Sequence, residues 1–183
     1  MLNRIFAIIL LIILSPVFLI VGVIIFLDDG FPVFFSQTRV GRFNKPFQIF
    51  KFRTMKNGIP DIPTHLVENP DELKLNSGPF LRKLSLDELP QLINIIKGEM
   101  VFVGPRPSLY NQNDLNDLRN QNGVEKLMPG ITGWAQVNGR DELEIPKKVE
   151  FDTFYLLNKS VLLDAKIIFM TIFKVLNSTN VTH

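Results

Sequence analysis

A small α+β domain attached to a membrane is predicted by three features of the sequence. An almost unbroken apolar run extends from Ile5 to Leu27. Two segments of strand composition, Val33 to Thr38 and Phe47 to Met55, flank the turn-rich stretch Gly41-Arg42-Phe43-Asn44-Lys45-Pro46 and suggest a β-hairpin. Of two later segments, Leu86 to Lys97 carries apolar residues at helical spacing and Val161 to Leu176 is strongly apolar with isolated charges. The 183 residues suffice for one core, and no repeat or linker divides the chain beyond the apolar run. The expected organisation is a membrane segment over residues 1–29 and a single second unit over residues 30–183.

The apolar run is interrupted only by Ser15, Pro16 and Gly22, and about 20 such residues cross the hydrocarbon core of a bilayer. A cleaved signal peptide fits poorly, because Asp28-Asp29-Gly30 stands where small residues would mark the cut. Pro16 lacks an amide donor and kinks a helix, so a chain bent at mid-depth could return to the side it entered. Cations flank both ends, Arg4 before the run and Arg39, Arg42, Lys45, Lys51 and Arg53 after it. On these residues alone, a span and a re-entrant hairpin both stay open.

In the second strand the two-residue period puts Lys51 and Arg53 on one face. Residues Asn57 to Pro70 read as a surface loop, and Gly98 as the stop of the Leu86–Lys97 helix. Ser85-Leu86-Asp87-Glu88-Leu89-Pro90 has the spacing of a capping box, with Pro90 tolerated in the first turn. The glycine-punctuated Pro129-Gly130-Ile131-Thr132-Gly133-Trp134 is read as a turn packed under an aromatic ring in preference to the wall of a nucleotide pocket. The Val161–Leu176 segment has too many isolated charges for a second span and is expected to lie on the bilayer or in the core.

A net charge of +2 demands no nucleic-acid partner, and a pI near 8.9 suits an anionic lipid surface or phosphorylated substrates. The absence of cysteine excludes disulfides, thiol nucleophiles and thiolate zinc sites. His65 and His183 cannot form a histidine-rich metal centre, and the P-loop, the dinucleotide fingerprint and the serine-hydrolase elbow are missing. Any metal must therefore be held by oxygens.

Asp87 and Glu88 are the acids best placed for chemistry. A helix start gathers unpaired amides and partial positive charge, which suits a phosphate and favours an ionised carboxylate. Adjacent carboxylates also suit Mg²⁺, which neutralises phosphate charge. Asp87 is the candidate nucleophile and Glu88 the candidate metal ligand, with Asp87 beside it, although first-turn acids are common for purely structural reasons. In Gly104-Pro105-Arg106-Pro107 two prolines stiffen the backbone around an arginine whose planar fork can grip phosphate. Lys51, Arg53, Arg82 and Arg140 are further cations that could converge on a diphosphate. Asp152 and Asp164 read as partners of those arginines or as ordinary helix-surface acids.

Lys51-Phe-Arg-Thr-Met55, Leu81-Arg-Lys-Leu-Ser-Leu-Asp-Glu-Leu-Pro-Gln-Leu92, Lys97-Gly-Glu-Met100, Gly104-Pro-Arg-Pro107 and Pro129-Gly-Ile-Thr-Gly-Trp-Ala-Gln-Val-Asn-Gly-Arg140 follow one another in this order. Together they resemble the monotopic phosphoglycosyl transferases of the bacterial sugar transferase family, over nearly the whole chain and in the compact size of the minimal PglC-type members. The resemblance implies a re-entrant membrane helix broken at Ser15-Pro16, with the active site on the cytoplasmic face of the bacterial inner membrane. It implies that Asp87 attacks the sugar-bearing phosphate of a UDP-sugar, of N-acetylated hexosamine type. UMP would then leave, and polyprenyl (undecaprenyl) phosphate would collect the phosphosugar. It also implies that Glu88 binds Mg²⁺, that Lys51, Arg82, Arg106 and Arg140 surround the phosphates, and that Asp152 and Asp164 belong to the substrate site. The chain departs from the family pattern at Met128, at Asp141-Glu142 and in the loop from Lys56 to Ser77. A catalytically silent membrane scaffold and a phosphatase that releases sugar phosphate to water are the competing expectations. A homodimer is compatible with the sequence, but no residue pattern asks for one.

Overall fold

A computed structural model describes residues 1–56, 73–139 and 143–176. Helix α1 (Leu2–Asp29) is followed by strands β1 (Phe34–Val40) and β2 (Pro46–Phe52), then by helices α2 (Gly78–Lys83) and α3 (Gln91–Lys97). Strand β3 (Val101–Val103), helix α4 (Asn113–Gln121), strand β4 (Gly130–Thr132) and helices α5 (Trp134–Val137), α6 (Ile145–Asn158) and α7 (Val161–Leu176) complete the order. The mixed helix and sheet content agrees with the expected α+β class, and α7 has the bounds read from the sequence.

Helix α1 is long and apolar enough to cross a membrane. It runs as one helix through Pro16. The carbonyl that loses its partner there is that of Ile12, four residues back, and the Ser15 hydroxyl donates to it at 2.8 Å. In hydrocarbon, where no water can replace a lost bond, serine thus offsets what proline removes. One stripe of α1 packs on the rest of the protein. Ala7, Leu11 and Leu14 meet Ile49, Leu92, Ile95 and Met100, while Phe18, Val21 and Ile25 meet Phe52, Leu75 and Leu81. The opposite faces leave Ile5, Phe6, Ile9, Ile12, Leu19 and Leu27 exposed.

Both ends of α1 are tied to the same body. The Arg4 guanidinium donates to the Lys97 carbonyl at 3.3 Å. At the other end Asp28 accepts from the backbone amide and the hydroxyl of Ser77, each at 2.8 Å, and Asp29 pairs with the buried Arg53. Arg53 also donates to the carbonyls of Asp29 and Gly30.

Strands β1 and β2 form the expected antiparallel hairpin, in register from Phe34 opposite Phe52 to Val40 opposite Pro46, around a 3₁₀ turn at Arg42–Asn44. Asn94 of α3, fully buried, grips β2 as a third strand would: it accepts from the Phe50 amide at 3.0 Å and donates to the Gln48 carbonyl at 2.7 Å. This fixes the strand that carries Lys51.

Two local expectations are corrected. The capping box does not form: Ser85 is left-handed (φ 54°), Leu86–Glu88 make a 3₁₀ turn, and α3 starts only at Gln91. The Glu88 amide bonds the Ser85 carbonyl, and the Glu88 carboxylate turns away toward cations from distant segments. The Pro129–Trp134 stretch is not a turn. Gly130–Thr132 pair in parallel with Val101–Val103 and Trp134 opens α5, its ring stacked on Phe154. A Cβ on Gly130 would run into the backbone at Gly104, so the close approach of these two segments requires glycine. Gly98 (φ 84°) does end α3. The loop expected at Asn57 to Pro70 lies outside the described residues.

Val103, Val124, Leu127, Val137, Tyr155 and Ile167 form the core under β3, β4 and the last helices. Helix α7 buries Ile167 in that core and leaves Val161, Leu162, Phe169, Ile172 and Phe173 exposed.

Candidate active site

Strand β2, the end of α2, the 3₁₀ turn and the loop after β3 bring Lys51, Arg82, Asp87, Glu88 and Arg106 together. Glu88 Oε1 accepts from Lys51 Nζ at 2.9 Å and from the Arg106 guanidinium at 3.1 Å. Arg82 is oriented by the buried Thr54, whose hydroxyl oxygen accepts from Arg82 Nε at 2.9 Å. Asp87 sits among these groups, only 8% exposed.

The two neighbouring acids are shifted in opposite directions. Burial works against ionisation of Glu88, but Lys51 and Arg106 together overcome it and hold the carboxyl well below the usual range. Burial pushes the Asp87 carboxyl up; Lys51, Arg82 and Arg106 pull the other way, while the Glu88 charge adds to the rise. One carboxylate is therefore locked into ion pairs. The other is desolvated, and burial raises the energy of its charged form.

The segment that carries Arg106 is fixed from several sides. The Pro105 carbonyl accepts from the Gly130 amide at 2.9 Å, the Arg106 carbonyl from Arg119 at 2.9 Å, the Pro107 carbonyl from Arg39 at 3.4 Å and the Ser108 carbonyl from the Val40 amide at 3.0 Å. The stiffness expected from two prolines is thus supplied largely by hydrogen bonds to each carbonyl from Pro105 to Ser108.

Other expected site residues lie elsewhere. Asp152 is 1% exposed and pairs with Arg119, whose Nε and one amino group donate to Asp152 Oδ2 at 3.0 and 2.6 Å. Burial pushes the Asp152 carboxyl up against the pull of Arg119. Asp164 lies 2.7 Å from the Tyr155 hydroxyl, which burial and this carboxylate keep protonated. Asp152 ties α6 to α4, and Asp164 ties α7 to α6. Arg53, expected on the Lys51 face, is spent on the end of α1. Arg140 lies outside the described residues.

Arg119 escaped the sequence reading, since Asn113–Gln121 looks like a solvated polar helix. The available signal was its spacing four residues from Leu115, which places both on the one face that α4 buries.

The family description "Bacterial sugar transferase" matches residues 1–178. The chain is 44% identical over 176 residues to an uncharacterized sugar transferase, EpsL, of Bacillus subtilis (strain 168), covering 96% of this chain and 85% of that protein. It is 42% identical over 176 residues to the UDP-glucose:undecaprenyl-phosphate glucose-1-phosphate transferase of Escherichia coli (strain K12), covering 92% of this chain and 38% of that one. It is 37% identical over 163 residues to the UDP-N-acetylgalactosamine-undecaprenyl-phosphate N-acetylgalactosaminephosphotransferase of Aeromonas hydrophila, covering 86% and 38% respectively. The match along nearly the full chain, over a fold that gathers an acid pair and three cations beside an apolar helix, makes this protein an enzyme of the bacterial sugar transferase family, a phosphoglycosyl transferase.

Proposed function

We propose that the protein moves a sugar-1-phosphate from a UDP-sugar to undecaprenyl or a similar polyprenyl phosphate at the cytoplasmic face of the membrane. The observation that carries the reading is the unequal acid pair: Asp87 is buried, its carboxyl pushed up by burial, beside a Glu88 paired with Lys51 and Arg106. An Asp87 carboxylate oxygen attacks the phosphorus that bears the sugar. The bond from that phosphorus to the bridging oxygen breaks, UMP departs, and an acyl phosphosugar remains on Asp87. An oxygen of the polyprenyl phosphate then attacks the same phosphorus, forming the lipid diphosphosugar and restoring the Asp87 carboxylate.

Arg82 and Arg106 lie where they can bind the two phosphates, and Lys51 keeps Glu88 ionised. Arrival of the diphosphate gives Arg106 a second anion to share with Glu88. Asp87 and Glu88 supply hard oxygens suited to Mg²⁺, and among the described residues both bonds to the Glu88 carboxylate fall on Oε1, leaving Oε2 to a ligand. Among the described residues no group of three or more His, Cys, Asp or Glu could hold a metal, so water and substrate phosphate would have to complete the coordination of an ion held by these two acids. When bound, Mg²⁺ neutralises phosphate charge and lets anionic nucleophile and anionic donor approach.

The re-entrant reading of α1 draws support from its two tethered ends. A straight helix of 28 residues is about 42 Å long, so a span would put one end across the bilayer from the body. Arg4 at one end and Asp28 and Asp29 at the other instead meet the same body. The exposed apolar stripe of α7 suits a helix lying in the interface.

The sugar expected from the resemblance is an N-acetylhexosamine, while the names of the relatives cite glucose and N-acetylgalactosamine. The deciding experiment incubates the purified protein with Mg²⁺, polyprenyl phosphate and a panel of UDP-hexoses and UDP-N-acetylhexosamines and measures UMP. Release that requires both the lipid phosphate and one donor class supports the reading; no UMP from any donor ends it.

A further inference from the structure

The buried Arg119–Asp152 pair has one donor arm too many for a pair that only stabilises α4 against α6. Two arms of the guanidinium hold Asp152 Oδ2, and the third donates to the carbonyl of Arg106 at 2.9 Å. Arg119 is 8% exposed and Asp152 1%. Enclosing two charges in this way carries a desolvation cost that well-packed apolar side chains would avoid. The return is geometric: a planar fork held by a fixed carboxylate presents its remaining N–H in one direction. That direction is the peptide from which the Arg106 side chain springs toward Glu88.

We infer that Arg119, oriented by Asp152, is a positioning residue that fixes the Arg106 backbone and so aims its guanidinium at the phosphates of the donor. This rests on the reading of Arg106 as a phosphate ligand. The neighbouring carbonyls are held by Gly130, Arg39 and Val40, so losing the Arg119 arm loosens the peptide without releasing the loop. Asp152, expected from the resemblance to belong to the substrate site, acts two bonds removed from it.

The test uses the full-length protein and two variants. Arg119→Lys keeps a cation beside Asp152 but lacks the planar fork. Arg119→Gln combined with Asp152→Asn removes both charges together and so avoids leaving one buried without its counter-ion. Each is expected to lower kcat/KM for the UDP-sugar on the order of tenfold to a hundredfold, the scale of a small misplacement of a binding group. The same changes made in an Arg106→Ala background are expected to cost nothing further, because the device acts only through that side chain. Hydrogen–deuterium exchange over residues 104–110 is expected to quicken in both variants while the remaining peptides stay protected.

Equal losses with and without Arg106, or exchange in that segment as slow as in the unaltered protein, would overturn the inference. Failure of the functional reading looks different, since the unaltered protein would then release no UMP from any donor. The exchange experiment still decides the positioning role in that case.

Discussion

Lys51 Nζ and Glu88 Oε1 meet at 2.9 Å, joining strand β2 to the 3₁₀ turn that carries both acids. Because Glu88 titrates below its ordinary value when folded, its contribution to stability is complete above the unfolded carboxyl pKa of about 4.3. That contribution is lost as pH falls toward the lower folded value. Asp87 has the opposite sign: its folded pKa is raised, so it favours the folded state at low pH and ceases to do so as pH rises through that value. Melting midpoints measured across the acid range should therefore fall less steeply toward low pH in Glu88→Gln than in the unaltered protein, and more steeply in Asp87→Asn.

The same pair sets the acid limb of the reaction. In the proposed mechanism Asp87 must lose its proton to attack, so transfer should rise with pH along a limb above the ordinary aspartate value of about 3.9. Glu88→Gln removes a negative neighbour and frees Lys51 and Arg106 to act on Asp87, and both changes lower the Asp87 pKa. Whatever its effect on rate, that variant should show the limb displaced to lower pH. A limb that stays in place would separate the titration from Asp87.

Asp87→Asn should cut UMP release by at least about a thousandfold, as expected when a covalent nucleophile is removed. Intact-mass measurement after mixing with UDP-sugar and no acceptor should find a phosphosugar adduct on the unaltered protein and none on the variant. Full turnover in the variant would instead favour water or lipid phosphate attacking directly.

The sequence disclosed elements whose signal is local and misled where a distant charge intervened. The hairpin is signalled by the turn residues between two β-rich segments, and α7 by a strongly apolar run with isolated charges that the structure divides between core and surface. Ser85 and Glu88 had the spacing of a capping box, yet Glu88 is claimed by Lys51, 37 residues away, and by Arg106, 18 residues away. Charge-assisted bonds of this kind outweigh a single neutral cap. The strand period places Arg53 with Lys51, but Arg53 lies past the end of β2 and its partner Asp29 belongs to a segment whose approach no periodicity reveals. Arg119 shows the same limit, because its role depends on Asp152, 33 residues away.

Gly130→Ala should destabilise the protein by about 1–3 kcal/mol, the usual cost of forcing extra volume into a packed site. Its Cβ would meet the Gly104 backbone across the parallel pairing of β3 and β4, and backbone on both sides cannot rotate aside. Since Gly130 also donates to the Pro105 carbonyl, the shift should reach the Arg106 loop. Transfer should then fall by more than the lower melting midpoint accounts for at the assay temperature. A midpoint within a degree of the unaltered protein would contradict the close approach.

The topology of α1 can be read by labelling. Leu2 opens the helix and Phe31 lies just past its end, and both are exposed, so cysteine at Leu2 or at Phe31, which gives up a ring contact with Phe26, leaves the buried core in place, and the chain has no native cysteine to compete. With both helix ends tethered to one body, a membrane-impermeant thiol reagent applied from the cytoplasmic side of oriented vesicles should modify both positions. Adding Arg4→Ala removes the N-terminal tether to Lys97 and tests whether the geometry depends on it. Because the apolar stripe from Ala7 to Ile25 still grips the body, labelling at Leu2 should remain on the same side. Labelling of the two positions from opposite faces in the unaltered background would establish a spanning helix. The contacts made by Arg4 and Ala7 would then have to break on insertion.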